Sequence, residues 1–359
     1  MLFLDPSRPD VWPAAQSPHE ADALAFCRAW LSGQAEFVLH TSGSTGTPKP
    51  IRLTRAQMRA SAHLTGQTLG LRAGDGALVC LNIRYVAGVM MLVRGLELGL
   101  PMTIIEPVSN PLAGFDASES RFVFTAVVPL QLQTMLETPD ATLPVLNRMR
   151  AILVGGAATS PALERALQVI EAPVYATYGM TETVSHIALR QLNGPNASDL
   201  FTALAGVELG QDERGCLHIT SAATNFERVQ TNDVVELLPG PNGGPVRFRL
   251  LGRADTIINS GGVKIQPERV ERIVQDVLLT FGTIPRLFVA GLPDERLGQR
   301  VVVVSEQFAV SSEQWAAVQR AVQDALGPYW VPKEWVSVPT FAETPTGKID
   351  RASTIARAT

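Results

Sequence analysis

The sequence predicts an α/β fold in two unequal domains: a large N-terminal domain built on a mainly parallel sheet flanked by helices, and a smaller α+β domain after it. Three observations carry this. Short Val- and Ile-rich runs alternate with helical patterns, the texture changes after Gly240, and 359 residues at ordinary domain sizes make two domains the expected number. The clearest alternation is "RAILVG", Arg150 to Gly155, which reads as a buried strand. Ser160 then stands as an N-cap with Pro161 at the first helical position, Leu163, Leu167 and Ile170 form a helix face, and Val174 to Tyr178 reads as the next strand. Such βαβ units imply parallel strands with helices on the sheet faces and ligands at the loops beyond the strand ends. A short helix is expected over roughly Pro18 to Leu31. After the turn "LPGPNGGPV", a helix starts at Pro267-Glu268 with apolar residues at Val270, Ile273, Val274, Val277 and Leu278, followed by the strands "RLFVAG" and "RVVVVSEQF". The expected division is 1–252 and 253–359.

Composition excludes several classes. The chain is 46% hydrophobic and 18% charged, which describes a globular protein, and a net charge of -4 without a Lys/Arg block leaves no footprint for nucleic acid. The longest apolar stretch, Tyr85 to Val93, is far shorter than the roughly 18 residues of a membrane span. Cys27, Cys80 and Cys216 give no disulfide framework and no metal spacing. The start, "MLFLDPSRPD", lacks a basic region before its apolar residues, so no secretory signal is read and a reducing cytoplasm is the expected location.

The stretch "HTSGSTGTPKP" carries the first chemistry. Gly43 and Gly46 let backbone N–H groups turn inward, Thr41, Ser42, Ser44, Thr45 and Thr47 supply hydroxyls, and Lys49 adds a cation, a set that suits a polyphosphate. It is not a Walker A loop, because Pro48 rather than glycine precedes the lysine. Read alone, it serves equally well as a polar surface turn.

Four further motifs follow in order: "YGMTET" (178–183), "TNDVVEL" around Asp233, "GRADTIINSGGVKIQPERVE" (252–271) and "PTGKIDR" (345–351). With the 41–49 loop, this set resembles the acyl-adenylate-forming superfamily of acyl- and aryl-CoA ligases, peptide-synthetase adenylation domains and luciferases. The resemblance implies ATP and CoA as cosubstrates, Mg2+ as cofactor and a small carboxylic acid as the activated partner. It places Thr181 on the α-phosphate, Glu182 on the magnesium, and Gly155, Gly156 and Ala157 beside adenine. Tyr178 and Gly179 belong to the nucleotide site, Asp233 and Arg253 to the ribose. Asp255 takes the hinge position about which a mobile C-terminal domain turns, and Ser260, Gly261 and Gly262 lie beside the pantetheine path. Lys348 is implied as the catalytic lysine, where its charge stabilises the adenylation transition state more than the ground state.

Two departures stand out. The superfamily's phosphate loop usually follows well over a hundred residues, so much of the first subdomain is missing here, and its surfaces must be covered by the N-terminal helix or by a homodimer. The family's aromatic-His segment appears as "LNIRYVAGVMMLVRGL", with Arg84 and Tyr85 where Phe and His are usual. Within the superfamily, "YGMTETVSHIA" is similar to the 2-succinylbenzoate-CoA ligases of menaquinone biosynthesis. That acid has two carboxylates, which makes Arg84 a candidate holder of the remote one, beside the plainer reading as a surface cation. His186 is a candidate lining residue of the acyl pocket or simply a packed histidine. An aryl-acid adenylating enzyme that loads a carrier protein, and a degenerate nucleotide sensor, are the competing functions.

Overall fold

The computed structural model describes residues 1–40, 50–283, 285–343 and 349–358. Among them, twelve strands form one sheet in the order Leu2–Leu4, Met102–Ile104, Gly76–Val79, Phe122–Val127, Ala151–Val154, Val174–Gly179, His186–Gln191, Phe201–Ala203, Arg247–Arg253, Val229–Leu238, Cys216–Thr220 and Glu208–Gln211. The five from Met102–Ile104 to Val174–Gly179 run parallel, as the βαβ pattern predicts. Beyond them pairing turns antiparallel, so the sheet is mixed rather than mainly parallel. Connection length explains the change. A parallel return needs about a dozen residues or more, and only 180–185 separate Val174–Gly179 from His186–Gln191.

Local chemistry accounts for the helices. Ser17 caps Pro18–Leu31 by accepting from the Glu20 N–H, Ser160 caps Pro161–Ala166 through Leu163, and Thr54 and Gln57 form a capping box at the start of Arg55–Leu69. The helix Val86–Leu98 is different, because it buries every residue from Gly88 to Gly95 and therefore lies inside the domain. Its position next to the parallel strands makes it the centre on which the other N-terminal elements pack.

The N-terminal helix packs against the central helix. Ala23, Leu24, Cys27 and Trp30 are buried, and the Trp30 indole donates to Glu97 Oε1 at 2.8 Å on the central helix. Arg55 lies over the same indole, 4.4 Å from its centroid. Leu2–Leu4 closes the sheet edge by pairing antiparallel with Met102–Ile104.

Arg247–Arg253 is the last strand of the large sheet, and Ile258–Ser260 already belongs to a second one. There, Val263–Ile265, Ile258–Ser260, Gly298–Glu306 and Leu287–Asp294 pair antiparallel, while Glu334–Val338 joins Gly298–Glu306 in parallel. Helices Pro267–Thr280 and Ser312–Leu326 cover one face through Val270, Val274, Leu278, Val318 and Val322. The apolar stripe read at Val270, Val274 and Leu278 is thus the packed face, with Ile273 and Val277 at its margin. No helix among the described residues is long and apolar enough to cross a membrane.

Removing the Trp30 side chain takes away both packing and the indole hydrogen bond. Trp30→Ala is expected to cost about 3–5 kcal/mol of stability in urea unfolding. A loss below about 1 kcal/mol would show that the N-terminal helix is not coupled to the core.

Candidate active site

Three strand ends and one buried helix build the site. The strand Ala151–Val154 runs into Gly155, whose N–H donates to the Val127 carbonyl at 3.1 Å. A Cβ on Gly155 would stand 2.4 Å from Thr177 Oγ1 on the next strand, so glycine is required by close approach. Gly156 has φ +85°, which turns the chain toward the exposed Ala157.

The next strand, Val174–Gly179, ends in "YGMTET". Gly179 passes so close to the following strand that a Cβ would lie 2.2 Å from the Ser185 carbonyl oxygen. Thr181–Thr183 form one 3-10 turn, and Thr183 Oγ1 accepts from the Met180 N–H at 3.0 Å while donating to the Ser185 carbonyl at 2.8 Å. Val184 follows with φ +65° although it is β-branched and fully buried. Backbone of that kind costs about 1–3 kcal/mol and persists only where its surroundings fix it. Its effect is to place Thr181 and Glu182 on one side of the turn and Ser185 and His186 on the other. Glu182 is exposed and has no ion-pair partner among the described residues.

Tyr178 reaches across to Asp233 on the strand Val229–Leu238. Its hydroxyl donates to Asp233 Oδ2 at 2.6 Å, and burial, helped by the neighbouring carboxylate, pushes the phenol well above its usual range. The other carboxylate oxygen, Oδ1, accepts from Arg253 Nη1 at 3.3 Å. Arg253 also grips Asp255 with two bonds, Nε to Oδ1 at 2.9 Å and Nη2 to Oδ2 at 2.6 Å, and these bonds hold the Asp255 carboxyl below its ordinary value. Thr231 Oγ1 accepts from the Asp233 N–H at 3.0 Å and donates to the Leu217 carbonyl, which fixes the strand beneath the carboxylate. Tyr178, Asp233, Arg253 and Asp255 therefore form one chain of contacts at the point where the polypeptide leaves the large sheet.

The residues near the acyl side are placed differently from the sequence reading. Arg84 is 74% exposed and points to Asp22 Oδ2 at 3.4 Å, on the N-terminal helix. Tyr85 is half-buried at the N-terminal end of the central helix. The cation that the structure brings to His186 is Arg94, only 2% exposed. Its Nη2 donates to Ser185 Oγ at 2.8 Å and lies 3.5 Å from His186 Nδ1, while its Nε donates to Thr65 Oγ1 at 3.3 Å. No carboxylate lies within ion-pair distance of it among the described residues. Burial lowers the Arg94 pKa to about 9, and burial together with Arg94 pushes His186 well below its ordinary value of 6.5. Arg94 was not among the candidate residues of the sequence analysis. The available signal was a charge directly after the apolar run of the helix Val86–Leu98, one turn from the helix end.

Ser260 is buried, and Gly261 and Gly262 form a two-residue hairpin turn between Ser260 and Val263 with φ +60° and +84°. Their local reason is the turn itself. Thr41, Ser42, Gly43, Ser44, Thr45, Gly46 and Lys49 of the phosphate loop, and Lys348, lie outside the described residues.

Comparison with known proteins identifies the family and the fold. A family model described as AMP-binding enzyme matches residues 14–208. The chain is 31% identical to a probable 2-succinylbenzoate-CoA ligase of Mycobacterium tuberculosis, over 91% of this chain and 85% of that protein. It is 26% identical to the 2-succinylbenzoate-CoA ligase of Listeria monocytogenes, over 94% and 73%. Among solved structures, an acyl-CoA synthetase (AMP-forming)/AMP-acid ligase II-like protein from Dyadobacter fermentans is similar over 99% of both chains, at 44% identity and a TM-score of 0.66. The fold also matches O-succinylbenzoate coenzyme A synthetase from Bacillus subtilis, solved with ATP and magnesium, at 21% identity and a TM-score of 0.69 over 89% and 69%.

The neutral His186 has a consequence for stability. The unfolded histidine takes up a proton near pH 6.5 while the folded one resists it, so its contribution is complete above pH 6.5 and is lost as pH falls toward the depressed folded value. His186→Gln removes that uptake. Its unfolding free energy is expected to fall less steeply than the wild type's between pH 6.5 and 5, by up to about 1.4 kcal/mol per pH unit. Parallel slopes in urea titrations would contradict a neutral buried His186.

Proposed function

Because the chain belongs to the AMP-binding enzyme family, we propose that it activates a carboxylic acid with ATP as an acyl-adenylate and passes the acyl group to CoA, and that the acid is a dicarboxylate of the 2-succinylbenzoate type. The observation that carries the choice of acid is Arg94. A buried guanidinium without a carboxylate partner is costly, and a ligand carboxylate arriving beside it offsets that cost. Ser61, one turn before Thr65 on the same helix, adds a buried hydroxyl that has no hydrogen-bond partner among the described residues. A monocarboxylate spends its charge at the reacting end. A dicarboxylate keeps a second anion for Arg94.

The nucleotide end follows from the Asp233 contacts. Asp233 accepts the ribose hydroxyls, with Tyr178 and Arg253 holding its carboxylate in place, and the Gly155–Ala157 turn lies along the adenine face. Thr181 bonds the α-phosphate. Glu182, exposed and without an ion-pair partner among the described residues, suits magnesium, a hard cation that keeps several waters and takes one or two protein carboxylates. Bound with ATP, magnesium supplies charge neutralisation on the phosphates. One carboxylate oxygen of the acid forms a bond to the α-phosphorus while the bond to the bridging oxygen breaks and pyrophosphate leaves. Lys348 and the 41–49 loop stabilise the charge that grows there. The CoA thiolate then attacks the acyl carbonyl and AMP departs.

Residues from Arg253 onward act as a second domain that turns about Asp255. Lys348 faces the nucleotide in one orientation, and the Ser260–Gly262 hairpin faces it in the other, beside the pantetheine path. Arg253 spans the ribose carboxylate and the hinge carboxylate, which supports a link between nucleotide occupancy and that turning.

With ATP, magnesium and CoA, 2-succinylbenzoate is expected to give AMP and a monothioester. Arg94→Ala should raise KM for this acid about tenfold or more while KM for ATP stays within about twofold, the scale for losing a charged hydrogen bond. Turnover of benzoate or a fatty acid with none of the diacid would overturn the choice of acid.

Lys348→Ala separates the two half-reactions. Adenylation should fall about 10²–10³-fold, the scale for removing one preorganised charge-stabilising group. Thioester formation from supplied acyl-adenylate should stay near normal. Equal losses in both would mean a single fixed arrangement. Gly262 is a poor choice for the converse experiment, because its φ of +84° would make most replacements strain the hairpin.

A further inference from the structure

We infer that His186 is a positioning residue for Arg94, fixed as the Nε2–H tautomer, and that it leaves Nη1 as the edge of the guanidinium presented to the acid. This rests on the reading that Arg94 grips the remote carboxylate, and it adds which residue orients that grip and which nitrogen makes it.

Donor and acceptor bookkeeping settles the tautomer. Thr65 Oγ1 lies 3.0 Å from the Ser61 carbonyl, which only accepts, so the single hydroxyl proton goes there. Toward Arg94 Nε at 3.3 Å and His186 Nε2 at 3.1 Å, the same oxygen must then accept. His186 Nε2 therefore carries a hydrogen. Arginine has five N–H donors and no acceptor, so His186 Nδ1, 3.5 Å from Arg94 Nη2, faces it with a lone pair. Ser185 Oγ accepts from the same Nη2 at 2.8 Å and lies 3.5 Å from His186 Nδ1. A proton on Nδ1 would set two cations against each other in a site without water-exposed charge, so the neutral ring is required by its neighbours.

What remains free is also determined. Nε is held by Thr65, and Nη2 by Ser185 and His186. Nη1 has only the Met91 thioether, 3.9 Å away and a weak acceptor. Among the described residues it is thus the guanidinium nitrogen left without an oxygen or nitrogen acceptor. Holding the other two by side chains from the helix Arg55–Leu69 and from the strand after "YGMTET" limits rotation of the guanidinium. A carboxylate arriving at Nη1 meets a preset direction and loses less entropy on binding.

The test combines a spectrum with a split in kinetic constants. In the wild-type protein labelled with ¹⁵N-histidine, His186 should show a neutral Nε2–H ring at pH 7 that persists below its ordinary value of 6.5. An Nδ1–H ring or an imidazolium at pH 7 would overturn the inference, with no variant needed. His186→Leu keeps apolar bulk and removes both ring contacts. It should raise KM for 2-succinylbenzoate about tenfold, with KM for ATP within about twofold. His186→Gln offers an oxygen to Arg94 and an N–H to Thr65, and should bring KM for the acid back to within about threefold of wild type. If Arg94→Ala raises KM for the acid while His186→Leu does not, the grip stands and the positioning role falls. If neither changes it, both fall.

Discussion

An arginine buried in the central helix is the constraint around which the N-terminal elements are arranged. Arg94 cannot reach water from Val86–Leu98, and no carboxylate among the described residues neutralises it. Each polar atom it can touch must therefore be supplied by a neighbour, and the neighbours come from far apart in sequence. Thr65 comes from the helix Arg55–Leu69, and Ser185 and His186 come from the turn after Val174–Gly179. The same central helix carries Glu97 on its outer side, where Trp30, Arg59 and His63 converge. One helix thus anchors the N-terminal cover on one side and holds an uncompensated charge on the other.

The "YGMTET" turn connects that charge to the nucleotide side. Its glycine is demanded by a backbone contact with Ser185, and the unfavourable Val184 backbone is held by the Thr183 bonds on either side. Strain stored at such a turn is what lets five residues face two directions. Tyr178, just before the turn, fixes Asp233; Ser185 and His186, just after it, fix Arg94. In the proposed function, the first pair serves as the ribose anchor and the second as the anchor of the remote carboxylate. Arg253 extends the first anchor to Asp255, where the chain passes into the second sheet.

Legibility in the sequence followed how local each feature is. The Ser160-Pro161 cap, the Pro18–Leu31 helix and the Val270, Val274, Leu278 stripe depend on neighbours in sequence, and each is where the pattern puts it. Tyr178, Asp233 and Arg253 were legible through motif spacing, and the structure joins them directly. The antiparallel half of the sheet was not, because a strand's direction depends on connection length, which propensity does not report. The difference in burial between Arg84 and Arg94 was not legible for a related reason. Both flank one apolar run, and only tertiary packing decides that Arg84 faces Asp22 at the surface while Arg94 is buried beside His186. Gly261-Gly262 could have been read as a two-residue hairpin from the double glycine alone.

The central claim is that the acid is recognised by a charge remote from its reacting end. Acid-dependent exchange of labelled pyrophosphate into ATP, measured without CoA, tests it most directly, since it isolates the adenylation step. The acids to compare are 2-succinylbenzoate and its monoesters at either carboxyl. Exchange should proceed with the free diacid and fall at least about tenfold when the remote carboxyl is esterified, the scale for one lost charged hydrogen bond. Equal exchange with the remote ester, or no exchange with any carboxylic acid, would contradict the account.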